Sequence, residues 1–204
     1  MLLTKEKTLQ GHSTKQYFPN IKINKKPLED IYREVTVPLE VQSYFDNLES
    51  PLLLVVFHAE WCGDAITTTP TILKLADNTP NLTPYIFNRD EEVDLTNKFL
   101  PEHRANTVPV FVVLDSAFNE VARFIETAKG LVPKLDDMNE SIRQQTSEDP
   151  ENRQLIRGKR TAYRVMKANE WGSIILREFQ ETVAEGLKLP ANKRPAEGGT
   201  EWPA

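Results

Sequence analysis

The stretch Phe57-His58-Ala59-Glu60-Trp61-Cys62-Gly63-Asp64-Ala65 decides how the rest of this 204-residue sequence is read. It continues Leu52-Leu53-Leu54-Val55-Val56-Phe57, an apolar run with β-branched residues at its centre and the length of a buried central strand. After it, Ile66, Ile72, Leu73, Leu75 and Ala76 form the apolar side of a helix that ends near Asp77-Asn78. Cys62, the only cysteine of the chain, therefore stands between a buried strand and the first turn of a helix. In that position unpaired backbone N–H groups and the positive end of the helix dipole favour thiolate over thiol, while the Asp64 carboxylate opposes the effect. A thiolate is a nucleophile that attacks a disulfide, a sulfenic acid or another electrophile.

Working outward, residues 1–36 mix Lys, Asn, Thr and Pro with isolated apolar positions. Pro38 opens a lead-in helix whose Leu39, Val41, Tyr44, Phe45 and Leu48 approximate one apolar face, and Pro51 closes it. Downstream, Leu82 to Asn88 reads as a second strand with Pro84 near its beginning, and Glu91 to Leu100 as a short helix with acidic residues in its first turn. Two strands follow, Val108 to Leu114 and Glu120 to Ile125, joined by the hairpin-length link Asp115-Ser116-Ala117-Phe118-Asn119. A βαβ start that finishes in a hairpin predicts an α/β sheet of mixed direction with helices on its faces.

Beyond Gly130 the pattern predicts a helix over 131–145, a polar break at Ser147-Glu148-Asp149-Pro150, and one long helix over about 151–187. In that helix Tyr163, Met166, Trp171, Ile174, Ile175, Phe179 and Val183 make an apolar stripe interrupted by Gly172. Packing on the sheet domain is favoured over a partner or dimer surface, because a helix normally buries such a stripe in its own chain. From Pro190 onward Pro, Gly, Lys and Glu dominate, which predicts a disordered tail. The chain thus divides into an N-terminal extension (1–50), a core (51–128), a C-terminal helical extension (129–189) and the tail (190–204).

A formal charge of −5 leaves no basic surplus for a phosphate backbone, so a nucleic-acid partner is not expected. The longest uninterrupted apolar run is too short to cross a bilayer, and Met1 to Gly11 lacks the apolar stretch of a signal peptide, so the expected location is the cytoplasm, away from any membrane. One cysteine excludes an intramolecular disulfide. His12, His58 and His103 are scattered without ligand spacing, and neither a metal nor a cofactor is expected.

The run Ala59-Glu60-Trp61-Cys62-Gly63 resembles the thioredoxin active-site signature, and Pro70 lies where thioredoxins carry the proline of the active-site helix. Thr107-Val108-Pro109, its proline 47 residues after the cysteine, resembles the threonine-X-cis-proline loop that faces the thiol in that fold. More narrowly, the Trp-Cys-Gly-Asp turn, Arg89-Asp90-Glu91, Asp94-Leu95 and Arg104 resemble a bacterial branch in which the turn ends in Cys or, as here, in Ala65. The likeness covers roughly residues 50–128. It implies a thioredoxin-like fold with helical extensions, a cis Val108–Pro109 bond, and Cys62 as nucleophile. Trp61, Gly63, Asp64 and Ala65 complete the active-site turn.

Departures from the family pattern set the expected activity. Ala65 occupies the place of the resolving cysteine, so a dithiol reductase cycle is not expected. Val56 stands where thioredoxins have a buried acid, and His58 replaces an aromatic residue. The leading expectation is monothiol exchange with a protein disulfide or a low-molecular-weight thiol. The alternative is a redox-inactive thioredoxin fold used as a binding or structural module. A third reading is a cluster held by Cys62 of two subunits with an added thiol. Arg89-Asp90-Glu91 also fits a purely local strand-to-helix junction, and a solvated role is expected for Arg104.

Overall fold

The protein is described by a computed structural model that covers residues 2–200. Short helices α1 (Lys5–Thr8) and α2 (Thr14–Tyr17) lead to α3 (Lys25–Glu34) and α4 (Leu39–Asp46). The core then runs β1 (Leu52–His58), α5 (Gly63–Asn78), β2 (Leu82–Asn88), α6 (Val93–Asn97), β3 (Val110–Leu114) and β4 (Glu120–Ile125). Helices α7 (Val132–Gln145), α8 (Arg153–Met166) and α9 (Ala168–Lys188) and strand β5 (Ala196–Gly199) complete the described chain. The sheet has the order β2-β1-β3-β4-β5, parallel at β1/β2 and β4/β5 and antiparallel between β1, β3 and β4.

Alternation along β1 explains why that strand is apolar throughout. Leu54 and Val56 enter a core beneath α3, α5 and α9, while Val55 and Phe57 enter a second core with Leu3, Phe99 and Leu100. The hairpin of β3 and β4 turns on Asp115, whose Oδ1 accepts from the N–H groups of Ala117 and Asn119.

Helix α9 lays its stripe on the sheet. Trp171, Ile175, Leu176, Phe179 and Val183 are fully buried, and Phe179 meets Phe45, Phe111 and Phe124 at ring-centroid distances of 6.0, 6.5 and 5.8 Å. The apolar stripe that also suited a dimer surface is therefore spent within the chain, apart from exposed Met166. Gly172, an interruption of the stripe in sequence, is a contact point: a Cβ there would come within 3.0 Å of Val35 Cγ2.

Residues 1–36, to which the sequence pattern assigns no element, contain a full helix, α3, which buries Leu28 and Ile31. Three expectations need correction. The helix expected over 91–100 shrinks to α6, preceded by a 3-10 turn at Arg89–Glu91. The long helix breaks at Lys167, separating an α8 that packs on α3, α7 and α5 from an α9 that covers the sheet. The tail is ordered as far as it is described: β5 pairs with β4 from Ala122↔Ala196 to Ile125↔Gly199. Its glycines permit contact where their abundance suggested disorder. Gly199 has φ +89°, and Gly198 leaves no room for a Cβ beside Thr182 Oγ1. Residues 201–204, the rest of the predicted tail, lie outside the described residues.

Candidate functional site

Cys62 is the N-cap residue of α5, extended at φ −83° and ψ 130°, so its side chain leaves the chain as the helix begins. The half-buried thiol donates to the carbonyl oxygen of Val108 at 3.4 Å, across from the cis Val108–Pro109 bond. Thr107 braces that loop by donating from Oγ1 to the Arg104 carbonyl at 2.7 Å. Pro109 accepts from the N–H of Glu126 at 2.7 Å, a residue held at φ +68°. The helix start and the loop, 46 residues apart in sequence, thus enclose one sulfur atom.

The expected activation of the thiol is reversed. Burial pushes the Cys62 thiol above its ordinary pKa; the N–H groups of Ala65 and Asp64 pull it down, and the carboxylates of Asp64 and Glu126 push it up. Loss of solvent around the sulfur outweighs the helix start. Below its raised pKa the group is a thiol that donates to Val108.

Asp64 is held from a distant element. Its Oδ1 lies 3.2 Å from Arg164 Nη2 on α8, and Arg164 Nη1 donates to Thr67 Oγ1 at 2.7 Å. Gly63 permits this approach, since Arg164 Nη2 would lie 3.1 Å from a Cβ at that position. Arg157, about two α8 turns earlier, donates to the Trp61 carbonyl at 3.1 Å. On the other side Trp61, 42% exposed, donates from Nε1 to Asp90 Oδ2 at 2.8 Å, and Arg89 stacks on its ring at 5.7 Å. Arg89 also donates to the Asn106 carbonyl at 2.6 Å. Arg89 and Asp90 therefore do more than join a strand to a helix: they fix the indole and the loop ahead of Thr107. Glu60 accepts the N–H groups of Lys22 and Ile23 at 2.9 and 2.8 Å, tying the N-terminal segment to the turn that carries Cys62.

Arg104, expected to be solvated, is buried behind the cis-proline loop. It lies 3.7 Å from Glu126 Oε2 and 3.3 Å from Thr200 Oγ1, and Thr200 in turn donates to Glu126. Sequence reasoning missed Glu126, Arg157, Arg164 and Thr200. No spacing marks them, because each reaches the site from an element far along the chain.

Ala65 and Val56 are completely buried. His58 is buried as well: Nδ1 lies 3.0 Å from Thr69 Oγ1, Nε2 has no hydrogen-bond partner among the described residues, and burial drives the pKa down to about 3. It is a neutral core group at the end of β1, packed edge-on to Tyr17. Neither His12 nor His103 belongs to the enclosure of Cys62, and among the described residues no group of three His, Cys, Asp or Glu is placed to hold a metal.

Residues 11–155, well over half of the chain, match the family model described as Thioredoxin. The chain belongs to the thioredoxin family. A thioredoxin of Chlamydia pneumoniae is 34% identical over 82 residues, which are 40% of this chain and 76% of that protein. Among solved structures, a protein of unknown function from Pseudomonas aeruginosa superposes with a TM-score of 0.63 at 15% identity, over 91% of this chain and 99% of that one. An HIV epitope-scaffold superposes with a TM-score of 0.53 at 15% identity, over 78% of this chain and 90% of its own. These likenesses are of fold alone, and the first takes in the flanks as well as the thioredoxin-like core. Within this thioredoxin-family fold the site holds one thiol, and the sequence contains no second cysteine. In the described residues no helix is long and apolar enough to cross a membrane.

Proposed function

We propose that this chain carries out monothiol exchange through Cys62. The observation that carries the reading is the enclosure of one sulfur between the start of α5 and the Val108 carbonyl. The Cys62 thiol loses its proton to solvent, and the thiolate attacks one sulfur of a disulfide. A Cys62–sulfur bond forms, the disulfide bond breaks, and the leaving thiolate takes up a proton. An outside thiol then releases the adduct, since Ala65 supplies none. Trp61, Gly63, Asp64 and Ala65 shape the turn, and Thr107, Val108 and Pro109 offer backbone to an incoming partner. The Trp-Cys-Gly-Asp-Ala turn supports assignment to a bacterial branch of the family, and a lone thiol suits a reducing cytoplasm. The work falls to residues 51–128, with 1–50 and 129–189 shaping the approach.

The raised pKa of Cys62 favours a second reading, a thioredoxin fold kept as a binding module. Intact mass spectrometry after incubation with oxidised glutathione separates the two. Exchange predicts a glutathione adduct on wild-type protein, faster as pH rises and absent in Cys62→Ser. No adduct at any pH up to the limit of folding would assign the chain to the scaffold class.

A further inference from the structure

A cleft of about 330 Å³ opens between α8 and the first turn of α5. Its walls include Arg157, Arg160 and Arg164 on one side and Trp61, Gly63 and Asp64 on the other, so it begins at the residues flanking Cys62. Three guanidinium groups face one carboxylate there. Arg164 already neutralises Asp64, and Arg157 gives one Nη2 bond to the Trp61 carbonyl. The Nε of Arg160 is buried and has no hydrogen-bond partner among the described residues. A chain with a formal charge of −5 has thus gathered an excess of positive charge at one concave place beside its nucleophile. Guanidinium groups bind carboxylates in a fixed fork geometry, and a cleft of this volume suits a small ligand.

We infer that this cleft binds a carboxylate of a low-molecular-weight disulfide through Arg157 and Arg160, setting the substrate class of Cys62. The inference rests on the exchange reading for its chemistry but on the cleft for its binding. When the carboxylate is held by α8, the attached disulfide lies at the active-site turn. Attack by the Cys62 thiolate forms the mixed disulfide, and the departing half leaves as a thiolate that protonates in water.

Binding is measured with S-methylglutathione, whose thioether cannot exchange, by calorimetric or NMR titration at low salt. The expected result is saturable binding to wild-type protein, weakened roughly tenfold in Arg160→Gln and further in the Arg157→Gln/Arg160→Gln pair, with partial recovery in Arg160→Lys. The charge-matched pair Lys188→Gln/Lys193→Gln, one at the last residue of α9 and one in the 3-10 turn after it, is expected to bind as wild type. The kinetic arm compares adduct formation with anionic oxidised glutathione and cationic cystamine. The arginine pair lowers the anionic-to-cationic rate ratio by about tenfold and the lysine pair does not. Absence of S-methylglutathione binding to wild-type protein, or equal weakening by the lysine pair, would overturn the inference. Because the thioether arm needs no exchange, a chemically inert Cys62 leaves it readable.

Discussion

His58 gives the sharpest energetic test, because its imidazole is buried at the end of β1 with one ring nitrogen bonded to Thr69 and the other unpartnered. Burial lowers its pKa from 6.5 to about 3. At about 1.4 kcal/mol per pH unit, the buried imidazolium is disfavoured by roughly 5 kcal/mol. Between these two values the unfolded chain binds a proton that the native chain refuses, so stability falls as pH falls. The contribution is complete above about pH 6.5, and the loss reaches roughly 2 to 3 kcal/mol at pH 4.5. His58→Phe keeps an aromatic ring and removes the titration. Urea unfolding at pH 7 and 4.5, followed by circular dichroism, gives the loss for each protein. Carboxylates with lowered pKa values, including Asp30, Glu40 and Glu170, contribute equally to both proteins and cancel. The wild type is expected to lose about 2 to 3 kcal/mol more than His58→Phe over this interval. Equal losses would refute the assignment of a neutral, proton-refusing histidine at this position.

Two further outcomes follow, one from the surroundings of Cys62 and one from strand β5. Asp64→Asn removes a carboxylate that holds the thiol pKa up and leaves Arg164 beside the turn; iodoacetamide alkylation at pH 7 is expected to quicken roughly three- to tenfold, and an unchanged rate would remove Asp64 from the electrostatics of the thiol. Gly199→Ala forces a side chain at φ +89° onto the Ile125 carbonyl, only 2.1 Å from the new Cβ. Hydrogen exchange across 196–200 is expected to rise sharply, and full retained protection would show that β5 tolerates the strain elsewhere.

Much of the core was legible in sequence because its signals are local. An apolar run of strand length, an N-cap cysteine and a helix-period pattern each depend on neighbours a few residues away. The Val108–Pro109 loop was legible only through family resemblance, since no local rule brings it to Cys62. The flanks were harder. Helix α3 presents little more than Leu28 and Ile31 on an otherwise polar segment, and β5 is built from Ala196, Glu197, Gly198 and Gly199, which no strand propensity would select. Both exist because tertiary contacts outweigh weak local preference.

By itself the sequence determined the fold class, the element bearing Cys62 and the absence of a second thiol, for these depend on pattern and composition. Tertiary structure decided the state of the sulfur. Local reasoning weighed the helix start against Asp64, but burial against Val108 and the more remote Glu126 carboxylate add to the opposition and reverse its sign. It also decided what surrounds the sulfur, bringing Arg157 and Arg164 of α8 to the turn and Arg104, Glu126 and Thr200 behind the loop. Electrostatic energy depends on distance and solvent in three dimensions, and neither is a function of separation along the chain.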